Sequence, residues 1–195
     1  LPAARQAKAW VDAGEIGEVK MIKADFGTKM QHLSAEHRIH NPQLAGGALL
    51  DLGIYPVALA SLITGSQPDQ IHSYAQFGET GIDTTTVMTL EYPGGCIASL
   101  DCAIRHNTEQ EARIYGTRGD IYLPKFWRTK TAYLNTPSKK VSYEDTRESA
   151  GYHYEIDEMN ALIQQNKQES NTVPRKKSLE FIKILDTIRK QIGLT

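Results

Sequence analysis

Asp51 and Tyr55 stand four residues apart in the stretch Gly46-Gly47-Ala48-Leu49-Leu50-Asp51-Leu52-Gly53-Ile54-Tyr55-Pro56. A carboxylate and a phenol are the pieces of a proton-transfer site. On a regular helix that spacing places both on one face, a turn apart, where they would converge on one small molecule. A phenol with a pKa near 10 is a weak base at neutral pH, so Tyr55 would need a neighbouring cation to act as one. Asp51 would orient either the phenol or a substrate hydroxyl through a charge-assisted hydrogen bond. As a plain structural residue it would instead favour the positive end of the helix dipole, and both roles can operate together. Arg38, just upstream, either holds an anionic or polyhydroxylated substrate or ties its loop down. Phe126 and Trp127 follow Pro124 and read as aromatic walls for a ring substrate, with core packing the slightly stronger alternative.

Other candidates carry less. His32, His37 and His40 do not have the spacing of a zinc-binding helix, no cysteine joins them, and Glu36 is a single carboxylate, so they read as loop histidines and no metal is expected. No G-x-G-x-x-G turn occurs, so this chain is expected to contribute no cofactor-binding residue of its own. The Arg175-Lys176-Lys177 run is too short for a nucleic-acid footprint.

The elements that must position these residues follow from periodicity. Residues 3–13 are good helix formers stopped by Gly14. Residues 19–27 alternate, with Ile22, Ala24 and Phe26 on one side, as a half-buried strand does. Residues 28–44 form a long polar loop with a short helical turn. Leu49, Leu52, Pro56, Leu59 and Ile63 make one apolar stripe of a central helix. Strands are then predicted over 71–77, 84–92, 96–104, 111–115, 120–123, 131–134 and 141–143, with Pro93-Gly94-Gly95 turning a hairpin. Ile156, Met159 and Ile163 mark a helix, and Phe181, Ile184, Leu185 and Ile188 mark a last one, with Ser178 as its N-cap. The fold class is therefore α+β: a largely antiparallel mixed sheet, helices packed on one face, and the other face open for a second copy of the chain.

Composition narrows the function classes. At 195 residues, one domain over residues 1–195 is expected, with no internal repeat or linker. A net charge of -1, from 22 basic and 23 acidic residues, gives no field to steer toward nucleic acid or an anionic membrane. No continuous apolar run approaches the roughly 20 residues of a membrane span, and the first residues lack the charged start and apolar middle of a secretory leader. Cys96 and Cys102 fall in one predicted strand, roughly 20 Å apart at about 3.3 Å per residue, too far for a disulfide. Two reduced, buried cysteines fit a cytoplasmic protein.

The run HRIHNPQLAGGALLDLGIYPVALA resembles the signature of the Gfo/Idh/MocA oxidoreductases, which pair an NAD(P)-binding Rossmann domain with a sheet-based substrate domain. Leu1-Pro2 with the Gly14 to Val19 turn, the Gly116 to Ile121 stretch and Tyr152-His153-Tyr154-Glu155 resemble other parts of that second domain. The resemblance implies the substrate-binding, homodimer-forming half of an oxidoreductase that moves hydride between NAD or NADP and a small hydroxyl or carbonyl compound such as a sugar, polyol or dihydrodiol. It implies Tyr55 as acid/base, Asp51 as its companion, and a cation supplied by a Glu-Lys-Pro sequence in the Rossmann half, which is not found in these residues. The chain alone is then expected neither to bind NAD(P)H tightly nor to turn over substrate. The rival expectation is a noncatalytic dimerisation or ligand-binding scaffold with the same fold.

Overall fold

One eight-stranded sheet organises the molecule, described by a computed structural model for residues 1–30, 33, 34 and 36–194. Helix α1 (Pro2–Asp12) leads into β1 (Val19–Gly27). Two short 3-10 turns, Arg38–His40 and Pro42–Leu44, precede the central helix α2 (Ile54–Thr64). Seven strands follow: β2 (Gln70–Phe77), β3 (Asp83–Tyr92), β4 (Cys96–Ala103), β5 (Ala112–Gly116), β6 (Asp120–Leu123), β7 (Thr131–Asn135) and β8 (Lys140–Glu144). Helices α3 (His153–Gln164) and α4 (Arg175–Ile192) close the chain. The strand order is β2-β3-β4-β1-β5-β6-β7-β8, antiparallel throughout except where β1 lies parallel to β4. The architecture is the mixed, open α+β sheet that the alternation predicts.

Alternation decides which face is covered. Ile22, Ala24 and Phe26 of β1, Met88 and Leu90 of β3, Ala98, Leu100 and Cys102 of β4, and Ile114 of β5 point into one core. Helix α1 covers β6 to β8, α2 covers β1 and β4, and α4 covers β2. The opposite face carries a row in register from Thr89 through Ser99, Lys23 and Arg113 to Tyr122 and Tyr133. The guanidinium of Arg113 lies 4.2 Å from the Tyr122 ring centre, and the Tyr122 and Tyr133 rings stack at 5.9 Å. Both cysteines are buried in β4 and unpaired.

Two expectations change. The last helix begins at Arg175, after an extended Pro174, so Ser178 lies inside the first turns and is not the N-cap. The sequence places the Arg175-Lys176-Lys177 run before the helix because it lacks apolar residues, yet Arg and Lys are good helix formers. The stretch Pro42–Thr64 is, by length and composition, apolar enough to cross a membrane, although no uninterrupted apolar run signals it. Its most apolar window is 67% buried, and α2 packs on β1 and β4, which accounts for the apolar content as core.

Entry into α2 is irregular. Leu49–Gly53 form a widened π turn before the α-helix resumes at Ile54. Pro56 has no N–H to give the carbonyl four residues earlier, and its ring crowds that carbonyl, so the preceding turn opens. Asp83, at the start of β3, anchors this turn from inside the core: its Oδ2 accepts from the Leu49 backbone N–H at 2.7 Å and from Thr86 Oγ1 at 2.7 Å. Burial pushes the Asp83 carboxyl up, while the bonds from Thr86 and the Leu49 backbone pull it down. The glycine pair fits around these anchors. A Cβ on Gly46 would lie 2.6 Å from the Arg38 carbonyl oxygen, and one on Gly47, at φ +107°, would lie 2.1 Å from Asp83 Oδ1.

Candidate active site

Tyr55 emerges on the first turn of α2, half exposed at 42%. Its ring stands edge-on to Phe26 at 5.1 Å and to Trp127 at 6.4 Å. It borders a cavity of about 370 Å³, walled by Trp127, Arg128, Gly151, Tyr152, Tyr154 and Glu155. That volume suits a small molecule. A larger hollow of about 610 Å³ lies between Gly14 and the Thr136 to Lys139 turn, but it has no aromatic wall, and its one carboxylate, Glu15, is paired with Lys139 at 2.8 Å.

The phenol is held protonated. Burial raises its pKa first, and the neighbouring Tyr152, Asp51 and Glu155 raise it further. Tyr55 as it stands here is therefore a proton donor, and accepting a proton would require a cation close enough to lower its pKa.

Asp51 is placed differently from the expected arrangement. Its carboxylate pairs with the Arg38 guanidinium, and among the described residues no hydrogen bond joins it to Tyr55. The widened turn explains this, because a four-residue spacing brings side chains into line only on a regular helix. Asp51 still acts on Tyr55 through its charge. Arg38 thus ties the loop to the helix entrance, while remaining half exposed at the surface. His37 Nδ1 accepts from the Ile39 backbone N–H, capping the first 3-10 turn, whereas His32 lies outside the described residues.

The two aromatic candidates separate. Trp127 is the cavity wall, its ring stacked on Phe26 at 4.9 Å with the Arg128 guanidinium 4.7 Å from it. Phe126, a candidate second wall, takes the core alternative: it is buried and contributes nothing to the cavity lining. The two residues sit in one 3-10 turn, so neighbouring side chains point in different directions.

Periodicity gave no sign of the supports behind this wall. Gln110, buried at a positive φ of 61°, accepts from Trp127 Nε1 at 3.1 Å and donates from its amide to the Gly27 carbonyl at 2.9 Å. Its own backbone N–H is held by Asp25 at 2.6 Å. Arg147 ties the far wall down. It pairs with buried Asp145 and donates to the carbonyls of Arg128 at 2.6 Å and Thr129 at 3.0 Å. Tyr154 donates to the same Asp145 at 3.0 Å. Burial works against Asp145 ionising, but the Arg147 N–H, the Tyr154 hydroxyl and the guanidinium outweigh it and hold the carboxyl below its usual range. Only the Tyr152 to Glu155 run gave any signal of this wall, through its likeness to a known pattern.

Comparison with known proteins agrees with this architecture. A model of the GFO/IDH/MocA C-terminal domain matches residues 4–122. Mouse trans-1,2-dihydrobenzene-1,2-diol dehydrogenase is 32% identical over 203 residues, a match covering all of this chain and 60% of that protein. The human enzyme of the same name is 30% identical over 203 residues with the same coverage. Among solved structures, aldose-aldose oxidoreductase from Caulobacter crescentus superposes with a TM-score of 0.84 at 18% identity, covering 97% of this chain and 58% of that one. The 3-ketoreductase KijD10 from Actinomadura kijaniata, in complex with NADP and TDP-benzene, gives a TM-score of 0.80 at 18% identity, covering 98% and 59%. These structural likenesses concern the fold, and the chain spans about 60% of the length of the curated relatives it matches. With the sheet, the Gly-Gly entry to α2 and the Tyr55 cavity in place, the chain belongs to the GFO/IDH/MocA family, as its C-terminal domain.

Proposed function

We propose that this chain is the substrate-binding half of an NAD(P)-dependent oxidoreductase, with Tyr55 as the group that passes a proton to or from the substrate oxygen. The observation that carries the reading is a protonated, half-exposed phenol at the edge of a small aromatic-walled cavity. The substrate class that suits this cavity is a small hydroxyl or carbonyl compound: a ring diol, sugar or polyol laid against Trp127, with its oxygen toward Tyr55. The names of the mouse and human relatives, which are dehydrogenases of a ring diol, support the same class.

These residues do not fit the dinucleotide itself. No glycine-rich phosphate turn joins a strand to a helix, and the cavity is too small to enclose a cofactor of that size. A nicotinamide supplies hydride at carbon; the residues here hold the substrate and move the matching proton at oxygen. Arg38 pairs with Asp51 beside the phenol and fixes the entry to α2. Arg147 and Gln110 hold the two walls apart. The open sheet face, with Val87, Ile97 and Tyr133 exposed on it, is the surface for a second copy of the chain. Two buried, unpaired cysteines support a cytoplasmic setting.

Tyr55→Phe in the two-domain protein carrying this chain tests the reading. The ring contacts to Phe26 and Trp127 survive, so melting should hardly move. Turnover of a trans-dihydrodiol should fall by about 10²- to 10⁴-fold, the usual contribution of a positioned proton donor. Wild-type turnover in the variant would overturn the assignment.

A further inference from the structure

Between Asp120 and Glu144 the sequence carries five basic residues and no acidic one, in a chain whose net charge is -1. The fold gathers three of them, Lys125, Arg128 and Lys130, around a second hollow of about 420 Å³, bordered by the Glu148 to Ala150 loop. Arg128 and Ala150 also line the Tyr55 cavity, so the two hollows adjoin. Arg147 lines the second one as well; its side chain is 3% exposed, and its buried Nε has no hydrogen-bond partner among the described residues. Asp145 answers the Arg147 charge, which leaves Lys125, Arg128 and Lys130 against Glu148 alone. Lys125 and Arg128 enter none of the ion pairs among the described residues. Lys130 Nζ donates to the Arg147 carbonyl at 2.6 Å, which holds its ammonium beside the loop.

We propose that this basic hollow is an anion subsite of the Tyr55 cavity and seats a phosphoryl group carried by the ring substrate, which makes the substrate a phosphate ester of a sugar or polyol. The inference deepens the function proposed above and rests on it. Three observations choose the ligand. A phosphate monoester carries about two negative charges at neutral pH, which matches three cations set against one carboxylate. Two of the three are lysines, whose ammonium groups serve phosphate as point charges, whereas planar carboxylates favour the arginine fork. The one buried fork here, Arg147, is already occupied by Asp145 and by the carbonyls of Arg128 and Thr129. The third observation is position. With its ring against Trp127 and its oxygen toward Tyr55, one molecule would carry its phosphoryl group past Arg128, whose guanidinium lies 4.7 Å from the Trp127 ring centre, to Lys125 and Lys130.

Both hollows lie within this chain, so calorimetric titration of the 195-residue protein with glucose 6-phosphate, glucose and inorganic phosphate tests the inference. Glucose 6-phosphate should bind at least tenfold more tightly than either of the others, because it alone fills both hollows. Lys125→Asn combined with Lys130→Gln should bring it down to the level of glucose. Both lysines are exposed, and asparagine suits the positive φ of 46° at position 125, so melting should hardly move. Should the double variant melt early, Lys125→Asn alone should still weaken the ester several-fold, and Lys125→Arg, which keeps the charge, should restore it. Equal binding of glucose 6-phosphate and glucose overturns the inference, as does binding of neither or a preference that survives the double variant. Inorganic phosphate bound as tightly as the ester would mean a site for a free anion, unconnected with the substrate, and overturns it too. All of these leave the Tyr55→Phe result untouched. Full turnover in Tyr55→Phe with the phosphate preference intact would instead remove the catalytic role of Tyr55 and leave the subsite standing.

Discussion

Replacing Gly47 with alanine tests whether the glycine pair is shaped by the anchor beneath it or only by backbone conformation. Gly47 lies at φ +107°, and a Cβ there would sit 2.1 Å from Asp83 Oδ1. Asp83 has little freedom to retreat, since its other oxygen holds the Leu49 N–H and the Thr86 hydroxyl, each at 2.7 Å. Gly65, which ends α2 at φ +69°, has nothing within 4 Å of where a Cβ would go. Gly65→Ala therefore carries only the left-handed backbone penalty, about 1–2 kcal/mol. Gly47→Ala carries a comparable or larger backbone penalty plus an overpacking cost of about 1–3 kcal/mol. The two variants should differ by about 2 kcal/mol in urea unfolding, read as a shift in midpoint at constant slope. Because the clash bears on the turn from which Asp51 and Tyr55 project, Gly47→Ala should also impair turnover in the two-domain protein, whereas Gly65→Ala should not. Equal stability losses within about 0.5 kcal/mol would refute the role given to Asp83.

Two further predictions concern the open sheet face. Burial first, then the Asp25 charge, push the Asp101 carboxyl up to about 6, with His106 pulling it down and Glu109 adding a smaller push up. The folded pKa lies above the ordinary 3.8, so the stability contributed by the protonated acid is complete below pH 3.8 and is lost as pH rises through about 6. Asp101→Asn should flatten the pH dependence of unfolding in that window, and an unchanged profile would contradict the placement. If this face seats a second copy, sedimentation at tens of micromolar should show a dimer that weakens when Val87 and Ile97 are both changed to Glu; a wild-type monomer would remove the dimer from the proposed function.

Strands were the most legible part of the sequence, because one covered face forces strict alternation and a turn signal bounds each run. The predicted strand at 19–27 coincides with β1, and the others lie within a residue or two of their observed ends. Tyr55 was legible as chemistry for a different reason: its neighbours are too glycine-rich and too constrained for an ordinary exposed helix. What escaped was whatever depends on contacts between distant residues. The spacing of Asp51 and Tyr55 assumes a regular helix, and Pro56 breaks that assumption locally. Trp127 and Phe126 cannot be told apart by composition, since a single 3-10 turn sends one outward and one inward. Asp145, Arg147 and Gln110 show no periodicity at all; their roles exist only once the carbonyls and rings they hold have been brought beside them.

The parallel alignment of β1 with β4 has a bearing on how the chain reaches this fold. Met21 pairs with Ile97, and Val19 with Gly116, so β1 is made first but has no neighbour until β4, the fourth of eight strands, has been synthesised. The strands on either side of it close by local hairpins, β2 to β4 and β5 to β8, whose short loops are quick to form. Joining them requires the much longer excursion between β1 and β4 to close, an entropic cost met only at that stage. Until then both edges of β1 are unpaired, and its insertion between the two meanders is the step expected to be slow and aggregation-sensitive.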